Sequence, residues 1–176
     1  MRKCRPMKIV IAPDSFKESM SAREAAEAIQ EGFSKILPST VEYDLIPMAD
    51  GGEGTTEALM EALNAKTIAT TVKDPLYRDI TAKYAYASSQ KIAIIEMAAA
   101  SGLDLLTKEE RNPLKTTTFG TGQLINHALE LGAQKIILGI GGSATNDGGV
   151  GMLQALGVKF LDSNGHSIEP GGLHLL

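Results

Sequence analysis

The chain has 176 residues, 43% of them hydrophobic and 22% charged, with a formal net charge of −4. That composition excludes a disordered chain, and an acidic balance without any Lys/Arg cluster argues against nucleic-acid binding. Cys4 is the sole cysteine, which excludes an internal disulfide framework, and no apolar run is long enough to span a membrane.

The opening segment, Met1 to Pro6, is short and basic and lacks the apolar centre of a signal peptide. The expectation is a cytoplasmic protein whose functional start is Met7. Lys8 to Ala12 is an apolar run that reads as a buried strand. Ser21-Ala-Arg-Glu24 has the form of a capping box, in which serine and glutamate satisfy free N–H groups at a helix start. Ala25, Ala26, Ile29, Phe33, Ile36 and Leu37 keep helical spacing, so this helix should bury one face and stop before Pro38. Val41 to Ile46 reads as a second strand, and a helix follows near Thr55–Asn64 with Leu59 and Leu63 inward. A βαβα opening implies a parallel sheet with covering helices.

The middle changes character. Residues 67–73, 81–87 and 91–96 read as successive strands, with Asp74–Arg78 as a turn. Strands without intervening helices suggest a meander, which places a domain boundary near residue 66: 1–66 and 67–176. The stretch Thr116–Gly122 reads as a loop. A helix opening at Thr121 or Gly122 should bury Leu124, Ile125, Ala128, Leu129 and Leu131, and Gly132 should end it. Lys135–Ile140 is a strand, Met152–Leu156 begins a helix, and Val158–Leu161 is a last strand.

Between that strand and helix lies Gly141-Gly-Ser-Ala-Thr-Asn-Asp-Gly-Gly-Val-Gly151. A polar glycine loop between a strand and a helix N-terminus is a physical design for holding an anion. The competing reading is a tight turn with Asp147 as a helix cap. Asp50-Gly-Gly-Glu-Gly54 echoes the form of Asp147-Gly-Gly-Val-Gly151 after another strand. Asp14, Lys17, Asp50 and Glu53 follow strands of the expected parallel sheet, whose carboxyl edge is where ligands bind. Arg111, before Asn112-Pro113, could clamp an anion or simply lie on the surface. There is no Gly-Lys dipeptide, so no P-loop, and the dinucleotide fingerprint and protein-kinase motifs are missing too. The three histidines have no metal-ligand spacing.

Six segments occur in order: Ala12-Pro-Asp-Ser-Phe-Lys-Glu-Ser19, Pro47-Met-Ala-Asp-Gly-Gly-Glu-Gly-Thr55, Ile95-Glu-Met-Ala-Ala-Ala-Ser-Gly102, Arg111-Asn-Pro113, Thr118-Phe-Gly-Thr-Gly122 and Gly139–Gly149. In these the chain closely resembles the bacterial glycerate kinases that work without a P-loop, over nearly all residues from Met7. The resemblance implies ATP-dependent phosphorylation of D-glycerate with Mg²⁺, the 2-phospho product favoured. It implies an α/β fold: the first part of a Rossmann-like parallel-sheet domain, plus an inserted mixed α/β domain carrying the glycine-rich loop. On that resemblance the expected sites are as follows. Asp147, Asp50 and Lys17 would be catalytic, with Asp147 also the metal ligand. Asp14, Ser15, Lys17, Gly51, Gly52 and Arg111 would bind substrate. Gly141, Gly142, Ser143, Thr145 and Asn146 would hold the nucleotide. Members of the family are about twice this length. The alternative is therefore an inactive half-kinase that retains nucleotide binding, self-associates, or binds a complementary C-terminal half.

Overall fold

A computed structural model describes residues 7–16, 19–49, 51 and 54–175. The chain divides into two compact units, Met1–Asp50 and Gly51–Leu176.

In the first unit β1 (Lys8–Ile11) pairs in parallel with β2 (Glu42–Leu45), with Lys8 opposite Glu42 and Ile11 opposite Leu45. Helix α1 (Ala22–Ser34) connects them. Its start is the expected capping box: the Glu24 N–H donates to Ser21 Oγ, and the Ser21 N–H donates to Glu24 Oε2. The expected one-sided burial is only partly realised. Ile11, Ala25 and Ala26 are buried, while Val10, Ile29, Phe33 and Ile36 stay exposed, Ile36 at 85%. Two strands and one helix cannot cover both faces of a parallel sheet.

The second unit is built on a mixed sheet in the order β3-β4-β5-β6. Strands β3 (Lys66–Lys73), β4 (Asp79–Ala87) and β5 (Ile92–Glu96) form the expected meander. Then α3 (Ala98–Ser101) and α4 (Phe119–Glu130) carry the chain back, and β6 (Lys135–Gly139) lies parallel beside β5. The core gathers Val72, Tyr84, Ala93, Ile95, Leu124 and Ala128.

Helix α2 (Thr55–Leu63) packs on β4 and β5. The second unit thus takes in α2 as well as the sheet it packs on. Helix α4 begins at Phe119, two residues before the expected start, and its buried stripe is Leu124, Ile125 and Ala128. Leu129 and Leu131 are exposed; the first lies off that stripe and the second is past the helix end. Gly132 takes φ +92, the left-handed conformation that ends a helix cheaply in glycine. Among the described residues Val158–Leu161 forms no strand, and Leu161 makes an isolated bridge to Ser167.

Candidate active site

Strand β6 ends at Gly139, and the glycine-rich loop runs from Gly141 to Gly149 before α5 (Val150–Ala155). Two neighbours shape its first half. The Gly141 N–H donates to the Gly51 carbonyl at 3.1 Å, and the Ala144 N–H donates to the Ser101 carbonyl at 2.9 Å. A Cβ at Gly139 would lie 2.7 Å from the same Gly51 oxygen, so that close approach needs glycine. Gly51, the one described residue of Asp50–Glu53, thus lies against the chain that enters the glycine-rich loop.

Next to Gly51 the Thr56 N–H, at the start of α2, donates to Glu96 Oε1 at 2.7 Å. Glu96 stands at the end of β5, opposite Gly139 in the parallel pair. It ties the helix start to the sheet edge. Sequence reasoning missed it, although it lies inside a quoted motif, because its partner is 40 residues away.

The loop borders a cavity of about 300 Å³. Ser143, Thr145, Thr118 and Thr121 supply hydroxyls, Asn146 an amide, and Met97, Leu138, Ile140 and Met152 the apolar part. Ser143 Oγ accepts from the Thr145 N–H and lies 2.9 Å from Thr145 Oγ1, so the two hydroxyls act as a linked pair.

Asp147 is only 2% exposed. Its Oδ2 accepts from the Thr118 N–H at 2.8 Å, the Gly151 N–H at 3.1 Å and Thr117 Oγ1 at 3.2 Å. Its Oδ1 accepts from the Gly149 N–H at 3.1 Å. Thr118 Oγ1 sits 3.0 Å from both oxygens and itself accepts from the Met152 N–H. Thr116 Oγ1 adds a bond to the Ala144 carbonyl at 2.8 Å. The run Thr116–Thr118, read from sequence as plain loop, is therefore a buttress for the glycine loop. Three consecutive threonines before a helix were its only sequence signal.

The glycines of Thr118-Phe-Gly-Thr-Gly122 have a packing role. A Cβ at Gly120 would sit 1.8 Å from the Lys73 carbonyl oxygen, and one at Gly122 would sit 2.2 Å from that of Met152. They let α4 lie close to β3 and α5, and no ligand is needed to explain them.

The other expected site residues belong to the first unit, to the second unit or to positions outside the described residues. Asp14 and Ser15 follow β1 in the first unit, where the Ser15 N–H donates to Asp14 Oδ1. Arg111 is exposed and reaches the Leu103 carbonyl at 3.4 Å; the Leu103 N–H in turn donates to the Gly142 carbonyl. Arg111 and the glycine loop thus share Leu103 as a neighbour. Gly142 has φ +72 and an exposed backbone. Lys17, Asp50, Gly52 and Glu53 lie outside the described residues. Among the described residues no group of three His, Cys, Asp or Glu side chains could hold a metal ion, and no helix is long and apolar enough to cross a membrane.

A sequence model of the glycerate kinase family matches residues 9–176. A glycerate kinase from Halalkalibacterium halodurans is 57% identical over 93% of this chain and 43% of its own length. A glycerate 2-kinase from Escherichia coli K12 is 55% identical over 94% of this chain and 43% of its own. A crystal structure from Salmonella typhimurium LT2, assigned as a glycerate kinase 2, superposes with a TM-score of 0.83 at 53% identity. It matches 97% of this chain and 46% of that one. The chain spans less than half the length of these relatives.

Proposed function

Because the chain belongs to the glycerate kinase family over residues 9–176, we propose that it supplies the phosphate-handling half of an enzyme that phosphorylates D-glycerate with ATP. The 2-phospho product is favoured by the name of the Escherichia coli relative. In the reaction the glycerate hydroxyl oxygen bonds to the γ-phosphorus, the bond to the ADP oxygen breaks, and the hydroxyl proton passes to a base. Phosphoryl transfer asks a protein mainly for positioning and charge neutralisation.

The observation that carries this reading is the hydroxyl-lined cavity at the carboxyl end of β6. Ser143, Thr145 and Asn146 present donors there. Lys17 and Arg111 are the proposed cations for the glycerate carboxylate and the moving phosphoryl. Asp14, Ser15, Gly51 and Gly52 are proposed to bind glycerate, with Asp50 as the base. The first unit is read as the opening of a Rossmann-like domain, and the second as an α/β domain inserted into it. A cytoplasmic location fits a small-molecule kinase of this kind.

The family implies Mg²⁺, and the described residues do not fit a protein-held ion. Asp147, the expected ligand, has its oxygens occupied by five donors, and no carboxylate cluster stands near it among the described residues.

The test is ADP release by the 176-residue chain with MgATP, with and without D-glycerate, followed by phosphorus NMR. Glycerate-dependent ADP and a new phosphoester signal are expected if the site is complete in this chain. A folded sample without turnover would overturn that and favour the second reading.

The second reading is an incomplete kinase that binds phosphate and waits for a complementary segment or a second copy. The surface of the first unit favours it: Val10, Ile29, Phe33 and Ile36 are exposed around a two-stranded parallel sheet, a sheet type found buried on both faces. A clean monomer by sedimentation, unchanged when the remaining segment of a relative is added, would count against it.

A further inference from the structure

We infer that Asp147 is a positioning residue, a carboxylate clasp that locks the glycine-rich loop onto the start of α4, and neither the metal ligand nor the general base. A carboxylate offers about four lone-pair sites. Here three backbone N–H groups (Thr118, Gly149, Gly151) and two threonine hydroxyls (Thr117, Thr118) converge on it within 3.2 Å. Nothing is left over to bind an ion or take a proton. Asp147 borders the cavity, but at 2% exposure it offers almost no surface to a substrate hydroxyl.

The position of these donors has a wider consequence. Gly148 and Gly149 take φ +59 and +77, and successive N–H groups in such a turn form a concave anion site. That is the place where a strand-loop-helix design would hold phosphate. The protein has filled it with its own carboxylate. Gly151 confirms how tightly it is filled, since a Cβ there would lie 2.1 Å from Thr117 Oγ1 and 2.8 Å from Asp147 Oδ2. An incoming phosphate is thereby left to Ser143, Thr145 and Asn146, which line the same cavity. This last consequence rests on the proposed function; the clasp itself does not.

The clasp joins segments 29 to 30 residues apart in sequence. Removing either end should therefore release the same structure. The experiment compares Asp147→Asn, Thr118→Val and the double variant with the parent chain by amide hydrogen exchange and thermal melting, with no nucleotide present. Exchange at Gly149, Gly151 and Met152 should accelerate at least about tenfold in either single variant. The double variant should add little, because both substitutions break one unit. Parent-like protection in Asp147→Asn, or a silent Thr118→Val, would overturn the proposal. If Asp147→Asn does not fold, Thr118→Val still decides it.

A second arm titrates ADP with and without Mn²⁺. A clasp predicts that Thr118→Val and Asp147→Asn weaken ADP and Mn-ADP by the same factor. Selective loss of the Mn²⁺-dependent gain in Asp147→Asn would make it a metal ligand and sink the proposal. A parent chain that binds no ADP would count against the proposed function while the exchange result still judged the clasp.

Discussion

The two units show what local sequence can and cannot build. In Met1–Asp50 the local signals are strong: a complete capping box, a helix with a periodic apolar stripe and two strands in register. Yet Ile29, Phe33 and Ile36 of that stripe stay exposed, and only Ile11, Ala25 and Ala26 are buried hydrophobics among its described residues. In Gly51–Leu176 a mixed four-stranded sheet is covered by α2 and α4, and Tyr84, Ile94, Ile95 and Leu124 are fully enclosed. Secondary structure is specified locally; stability comes when enough layers meet to exclude water.

The largest expected effect tests that contrast directly. Leu124→Ala removes a completely buried side chain from the second core and should cost about 2–5 kcal/mol in urea unfolding. Ile36→Ala, at 85% exposure, should stay within about 0.5 kcal/mol of the parent chain. Comparable losses at both positions would mean that the first unit has a core in solution.

A second test sharpens the contrast at one backbone contact. Gly120→Ala would place its Cβ 1.8 Å from the Lys73 carbonyl oxygen. Backbone stands on both sides, so neither can rotate away. The loss should be about 1–3 kcal/mol, typical of overpacking, even though alanine is the better helix former. An unchanged midpoint would contradict the close packing of α4 on β3.

Much of the fold was legible because its causes are short-range. The Ser21–Glu24 box, the Asp74–Arg78 turn and the Gly132 stop each lie within a few residues of their partners. The return of β6 beside β5 was not legible, because strand pairing is chosen by the whole sheet. The same applies to α2, whose amphipathic pattern gives no hint which sheet it covers. At the candidate site the glycine loop was visible as a motif. The state of Asp147 was not, because its threonine partners lie about 30 residues upstream. An acidic residue in a glycine loop reads as chemistry until its donors are known; those donors are what carry the inference that Asp147 positions the loop.

A third test addresses the cap in the less covered unit. Ser21→Ala removes the hydroxyl that accepts from the Glu24 N–H and should lower helix stability by about 1 kcal/mol. Amide exchange in the first turn of α1 would report it, while the protection of β5 in the second unit stays as in the parent chain.

The smallest expected effect is electrostatic and belongs to the same turn. The Ser21 N–H, and then its hydroxyl, hold the Glu24 carboxyl below the ordinary value of 4.5. A folded-state pKa that is depressed stabilises the folded form above the unfolded pKa and ceases to do so as pH falls through the folded value. The α1 start should therefore be firm from neutral pH down to about 4.5 and loosen progressively below it. Glu24 is solvent-exposed, so the change is a small shift in first-turn exchange, not an unfolding. Glu24→Gln keeps an acceptor for the Ser21 N–H but cannot titrate; its first-turn exchange, corrected for the intrinsic pH dependence, should be flat where the parent chain's rises. A parallel rise in both would assign the acid sensitivity to another group and leave the box as a purely geometric cap.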